Sequence, residues 1–442
     1  MPDKVKYIID ILKENGYDAY AVGGCIRDTI MKKKPSDWDI CTSSTPQETL
    51  ECLNKSNVVK NGLKHGTVTV VFDDITYEIT TFRIDGEYAD NRRPESVTFV
   101  RELKEDLARR DFTINAIAYN DAEGLCDFFG GINDINKKII RCVGNPDKRF
   151  NEDALRIMRA LRFASVLGFD IEKSTSDSIH RNKELLKNIS VERIMSEFSK
   201  MLVGDNAEKI LMEYSDVFCV FIPEIKPMIG FNQKNKHHIY DVWKHTVKAV
   251  VNTPPNRILR FAALFHDIGK PKAFTIDKQG VGHFYGHPEI SEEMTYNILK
   301  RLKSDNKTLE QVTTLVKKHD VGIIAKPKYV RRTVVKIGNE LFEKLLLLKR
   351  ADALAQNPVY TSEKLKYIDE LERIYKENMT DIPNFTIKSL AVNGYDLMNM
   401  GITNGKEIGI CQKRLFKLVV DGEIQNEKNV LLELVQKWYP KQ

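Results

Sequence analysis

Apolar residues recur at helical spacing over 5–13 (VKYIIDILK), after which the pattern shortens to a strand at 19–22, a Gly23-Gly24 turn and a renewed helix over 25–31. Strand-like runs follow at 38–41, at 67–72 (TVTVVF) and at 77–82 (YEITTF), the last two joined across Asp73-Asp74 as a hairpin. From Asn151 the chain reads as helix after helix, punctuated by Pro223, Pro254-Pro255, Pro288, Pro327 and Pro358, with no repeat of fixed period. The pattern predicts an α+β protein: a small mixed-sheet head (1–140), a helical neck (141–220), a larger helical body (221–360) and a helical tail (361–442).

Composition narrows the class. The 442 residues, enough for about three domains, are 42% hydrophobic and 29% charged. The 24 Gly and 15 Pro are too few for a fibrous or disordered chain. The apolar run at 345–348 breaks after four residues, far short of the roughly 20 a membrane span needs. No signal-peptide core follows the charged start, so no membrane association and a cytoplasmic location are expected. Seven scattered cysteines without a close pair read as buried free thiols. A net charge of +6 permits a nucleic-acid partner without requiring one.

Asp37 and Asp39, in Ser36-Asp37-Trp38-Asp39-Ile40-Cys41, stand two residues apart in a strand-like segment, so a period of two puts both carboxylates on one face. Paired oxygen donors suit Mg²⁺ that also binds phosphate, and Glu78 on a neighbouring strand is a third candidate ligand. Upstream, Val22-Gly23-Gly24-Cys25-Ile26-Arg27-Asp28 offers bare backbone N–H groups at a helix start, where Gly24 and Arg27 can receive phosphate oxygens. Gly-Gly-x-x-Arg-Asp followed by Asp-x-Asp resembles the signature of class II nucleotidyltransferases, the branch holding bacterial tRNA nucleotidyltransferases (CCA-adding enzymes) and poly(A) polymerases.

Further motifs fit that resemblance. In Arg109-Arg110-Asp111-Phe112-Thr113-Ile114-Asn115, Arg110 can serve the triphosphate or sugar, and Asn115 a ribose hydroxyl or the local backbone. Asp153, Arg156, Arg159 and Arg162 recur every third residue, a polar stripe on a helix beside the apolar stripe of Leu155, Met158 and Leu161. A carboxylate that accepts an exocyclic amino proton, beside a guanidinium that donates to a ring nitrogen, matches cytosine and adenine and leaves uracil and guanine unpaired. The resemblance assigns this base-reading role to Glu152, Asp153 and Arg156, and nucleotide contacts to Arg159 and Arg162. It spans 19–169 and resumes more weakly at 391–394, and residues 80–94 look like the family's flexible loop, which favours complete CCA addition.

A second series, His245, His266-Asp267, His287, His319 and Asp352, lies at 20- to 33-residue intervals in predicted helices, the arrangement that builds a di-metal site in a bundle core. It resembles the HD phosphohydrolase domain, which implies a second divalent metal and a hydrolytic side activity. Basic clusters (Lys317-Lys318, Lys326, Lys328, Arg331-Arg332, Lys413-Arg414, Lys417) and the stretch Gly405-Lys-Glu-Ile-Gly409 before a basic helix suit RNA phosphates. The implied function is template-independent addition of CCA to tRNA from CTP and ATP, with Mg²⁺ on Asp37 and Asp39. A poly(A) polymerase, and a phosphohydrolase with a vestigial transferase head, are the competing expectations.

Overall fold

Ala19–Val22 is buried at all four positions, so it must lie inside a sheet with both faces covered. In the computed structural model, which describes residues 1–53, 57–59, 66–72, 75–86, 96–378 and 385–440, it is the fifth of seven strands. Their order is Asn57–Val59, Thr67–Phe72, Ile75–Thr81, Asp39–Thr42, Ala19–Val22, Ala118–Asn120 and Gly124–Cys126. Asp39–Thr42 runs parallel to Ile75–Thr81, and the other neighbours are antiparallel. This register sets Val22 opposite Asp39 and Asp39 opposite Glu78, so the glycine turn and the acidic strand start meet at one sheet end. Tyr20, Val22, Cys41, Phe82, Leu107 and Ala118 pack the core beneath them.

The chain folds as two compact units, Met1–Pro223 and Glu224–Gln442. The expected hairpin forms, with Phe72 opposite Ile75, although its turn residues 73–74 lie outside the described residues. Of the expected loop at 80–94, residues 87–94 also lie outside them; its base, Arg83–Asp85, pairs with Val97–Phe99. The acidic strand begins at Asp39, so Asp37 precedes it outside the strand. Helical structure also starts earlier than expected, at Gly131–Lys137 and Pro146–Glu152, and a parallel bridge joins Ile139–Ile140 to Asp170–Ile171.

In the second unit, Val242–Asn252, Arg257–Phe265 and Asn306–Lys318 begin at Asp241, Asn256 and Asp305, whose side chains accept the first free N–H groups. With His287–Arg301 and Asn339–Leu354 they enclose the histidine series. A smaller core of Leu390, Leu397, Leu415, Leu431 and Val435 organises the last helices. There, residues 405–409 form the first turn of Gly405–Asp421, not a loop before it, because the Asn404 side chain accepts the Lys406 N–H at 2.9 Å and caps the helix. All seven cysteines are free. Among the described residues no helix is long and apolar enough to cross a membrane.

Candidate active site

Gly23 has φ 86°, a conformation that side chains rarely adopt, and an added Cβ would stand 3.0 Å from Arg110 Nη1. The turn opens the helix Gly24–Ile30, from which the buried Arg27 donates through Nη1 to Asn115 Oδ1 at 2.7 Å and through Nε to Asp28 Oδ1 at 2.8 Å. Asn115 Nδ2 donates to Asp111 Oδ1 at 3.1 Å, and Asp111 Oδ2 accepts Arg159 Nε at 2.8 Å and Nη2 at 2.6 Å. A relay thus runs from the glycine turn to the helix Leu155–Leu167. Burial disfavours the Asp111 carboxylate, yet Arg159, Asn115 and Arg156 together bring its pKa down to about 2. Asn115, read from sequence as a ribose or backbone contact, spends its side chain inside this relay.

Asp39 titrates above the ordinary carboxylate value because its surroundings are poorly solvated and because Asp37 and Glu78 crowd it, with Arg110 opposing them. A carboxylate pressed by other carboxylates calls for a cation, so the donor set fits a hard divalent ion. Glu78 pairs with Asp39 in register, but its carboxylate is not gathered with both aspartates within 4.8 Å.

The base-reading segment differs from its expected form. Pro146–Glu152 ends at Asp153, whose φ −136° and ψ 104° are extended, and a new helix starts at Leu155. Asp153 is thus at a helix break and does not share a helical stripe with Arg156. Its carboxylate accepts the Leu155 N–H at 3.0 Å and faces Arg193 Nη2 at 3.4 Å. The local bond at Leu155 competes with helix continuation, as short acidic side chains do. Arg156 is buried, donating to Glu152 Oε2 at 2.8 Å and to the carbonyls of Arg149 and Arg109 at 3.3 and 2.9 Å. Arg162 Nε lies 2.6 Å from Glu197 Oε2, and the Phe163 ring has the guanidinium carbons of Arg27, Arg159 and Arg162 at 5.1, 5.4 and 4.0 Å. Phe163 and Glu197 escaped the sequence reading. The arginine triplet pointed toward Phe163, but nothing local marks Glu197, which arrives from the helix Val191–Leu202.

In the second unit all six predicted ligands converge. His245, His266, His287 and His319 each place Nδ1 on a backbone carbonyl, of Ala355, Ala263, Phe284 and Val316, at 2.7 to 3.2 Å. In the neutral ring that contact fixes the tautomer and leaves Nε2 as the acceptor. The Nε2 atoms face one another in pairs, 3.3 Å between His245 and His266 and 3.2 Å between His287 and His319. Asp267 stands between the pairs: Oδ2 is 3.2 Å from both His245 and His266, and Oδ1 is 3.4 and 3.7 Å from His287 and His319. Asp352 Oδ1 completes the first pair, 3.1 Å from His245.

Facing lone pairs repel unless a cation lies against them, so this donor set fits two adjacent metal positions sharing Asp267. Asp267 Oδ2 also lacks a well-aligned hydrogen bond although Lys270 Nζ is 2.7 Å away. Burial opposes the imidazolium at His245, His266 and His319; Asp267 and Asp352 overcome it at His245 and at His266, raised to about 10, whereas His319 is driven down to about 3. A cavity of about 260 Å³ lined by His238, Lys270 and Lys364 opens onto these ligands.

Three family models match the chain: "Poly A polymerase head domain" over 19–141, "Probable RNA and SrmB- binding site of polymerase A" over 168–229, and "tRNA nucleotidyltransferase domain 2 putative" over 279–435. The CCA-adding enzyme of Bacillus velezensis is 33% identical over 432 residues, 98% of this chain and 97% of its own. That of Enterococcus faecalis is 34% identical, with 99% and 97% covered. This chain belongs to the CCA-adding enzyme family.

A solved CCA-adding enzyme from Bacillus stearothermophilus, in complex with CTP, superposes with a TM-score of 0.73 at 30% identity and 99% coverage of both chains. As a member of this nucleotidyltransferase family, the protein depends on a divalent metal, in keeping with the crowded carboxylates at Asp39. Several of the cations expected to meet RNA are committed elsewhere. Arg332 holds Asp421 with both Nε and Nη2 at 2.6 and 2.7 Å, Lys328 pairs with Asp421 and Glu423, and Lys317 with Glu292. These pairs fasten helices of the second unit, Pro327–Ile337 to the end of Gly405–Asp421 among them.

Proposed function

We propose that this chain adds CCA to the 3′ end of tRNA from CTP and ATP, without a nucleic-acid template and with release of pyrophosphate. The observation that carries the proposal is the relay Arg27–Asn115–Asp111–Arg159, which ties the glycine turn beside Asp39 to the helix that follows the base-reading break. Gly24 and Arg27 receive the triphosphate, Arg110 steadies the nucleotide, and Arg159 and Arg162 border it. Mg²⁺ on Asp37 and Asp39 would lower the pKa of the terminal RNA hydroxyl and neutralise charge on the α-phosphate. The hydroxyl oxygen bonds to the α-phosphorus, the bond to the pyrophosphate oxygen breaks, and the hydroxyl proton goes to solvent.

Asp153 and Arg156 select the base. Because Arg156 already serves Glu152 and two carbonyls, reading a base requires exchanging one of those partners for a ring nitrogen. In this reading the head (1–140) carries the chemistry, the neck (141–220) reads the base, and the tail (361–442) meets tRNA. The histidine site in the body (221–360) supports a second reading, a metal-dependent phosphohydrolase side activity, because four Nε2 atoms gathered around Asp267, with Asp352 beside the first pair, form a donor set that suits metal ions. An ion held there would act as a Lewis acid on a phosphate ester.

The test offers tRNAs ending before C, CC and CCA with each nucleoside triphosphate separately. CMP, CMP and AMP should be added in that order, and Asp37→Ala should abolish addition without unfolding the chain. Equal use of UTP and GTP would overturn base selection, and long A tails on generic RNA would favour a poly(A) polymerase. Hydrolysis that survives Asp37→Ala and is lost in Asp267→Ala, with no addition by the wild type, would leave the phosphohydrolase as the main activity.

A further inference from the structure

The longest run of lysines in the chain, Lys32-Lys33-Lys34, forms the turn between the helix Gly24–Ile30 and the acidic strand Asp39–Thr42. Its backbone is held: the Lys32 N–H donates to Thr29 O at 2.9 Å and the Lys33 N–H to Asp28 O at 2.8 Å, with Lys32 at φ 58°. A non-glycine residue there is strained, so the turn is kept in place at some cost. All three lysines are exposed, and among the described residues no carboxylate pairs with them. The acids close in sequence are occupied, Asp28 by Arg27 and Asp37 by the Ser36 hydroxyl at 2.9 Å. In this they differ from Lys317, Lys328 and Arg332, which are neutralised internally.

Only three peptide units separate Lys34 from Asp37, so their Cα atoms lie within about 11 Å of each other, the length of roughly three stacked nucleotides at about 3.4 Å each. The triphosphate already has Gly24, Arg27 and Arg110. The other polyanion that nucleotidyl transfer brings to Asp37 is the strand being extended.

We propose that Lys32, Lys33 and Lys34 bind the phosphodiester backbone of the acceptor RNA at the last few phosphates before its 3′ end. This rests on the nucleotidyltransferase reading above. The run engages charge and not bases, so it serves every tRNA alike and holds the terminal hydroxyl beside the aspartates.

The test compares the wild type with the full-length Lys32→Gln/Lys33→Gln/Lys34→Gln variant and a triple Lys→Arg control. Filter binding of a tRNA lacking CCA is measured between 50 and 200 mM salt, with the KM values for tRNA and CTP. Three phosphate contacts to a single strand contribute a slope of about −2 in log K against log salt. Over that fourfold range the wild type should therefore lose about 18-fold more affinity than the Gln variant, with arginine restoring the slope. The KM for tRNA should rise in the Gln variant while that for CTP holds. An unchanged salt slope, or a rise confined to the CTP KM, overturns the proposal. Because binding is read without turnover, a wild type that bound tRNA with this slope yet added no nucleotide would sink the function reading alone.

Discussion

Asp111 joins the two ends of the head-and-neck relay, and Asp111→Asn removes its charge while keeping its shape. Its pKa falls from 3.8 to about 2, so the charged form contributes on the order of 2 kcal/mol at neutral pH. The amide would also turn a donor toward donors, since Phe112 N–H and Asn115 Nδ2 both donate to Asp111 Oδ1. Trp38 is the only one of three tryptophans within Met1–Pro223, so in a Trp243→Phe/Trp438→Phe background its fluorescence follows urea unfolding of that unit. With a urea dependence of about 3 kcal/mol/M, the midpoint should drop by about 0.7 M.

Because the folded pKa of Asp111 lies below the unfolded one, its stabilisation is complete above about pH 4 and fades as the pH falls toward 2. The gap between wild type and variant should hold constant from pH 5 to 7 and narrow below pH 4. An unchanged midpoint at pH 7, or a gap undiminished at pH 3, would refute the assignment of Asp111 as the buried counter-charge to Arg159.

Two more outcomes follow from the sites. Asp153→Ala should cut the preference for CTP over UTP by at least about 100-fold, since discrimination between hydrogen-bonding edges depends on the partner removed; steady-state kcat/KM for each triphosphate measures it, and undiminished selectivity would return Asp153 to a purely capping role. Asp267→Asn should weaken Mn²⁺ binding at the histidine site at least tenfold by isothermal titration calorimetry, as loss of a metal-site carboxylate does, while CMP addition persists; unaltered Mn²⁺ affinity would count against Asp267 as the shared ligand.

The spacing of chemical groups along the chain was enough to name the family's motifs, because each is local: Gly23-Gly24 and Arg27 sit on one turn and the helix after it, Asp37 and Asp39 on one short segment, and His266-Asp267 are adjacent. The alternation of 67–72 likewise determined its strand. Where side chains compete locally with the backbone, periodicity misled. The bond from the Leu155 N–H to the Asp153 carboxylate breaks a helix that threefold spacing had drawn straight through. The Asn404 cap likewise drew residues 405–409, expected to precede the basic helix, into its first turn.

What only the tertiary structure decided is which charges meet across distant segments. Asp111 found Arg159, 48 residues away, and Arg162 found Glu197. The convergence of four histidines into two facing pairs is of the same kind, since it depends on Nδ1 contacts to backbone carbonyls that no spacing records. Sequence determines which groups a helix or turn can present. Which partner each one keeps depends on burial, because only in a water-poor interior does an unpaired charge cost enough to force a choice.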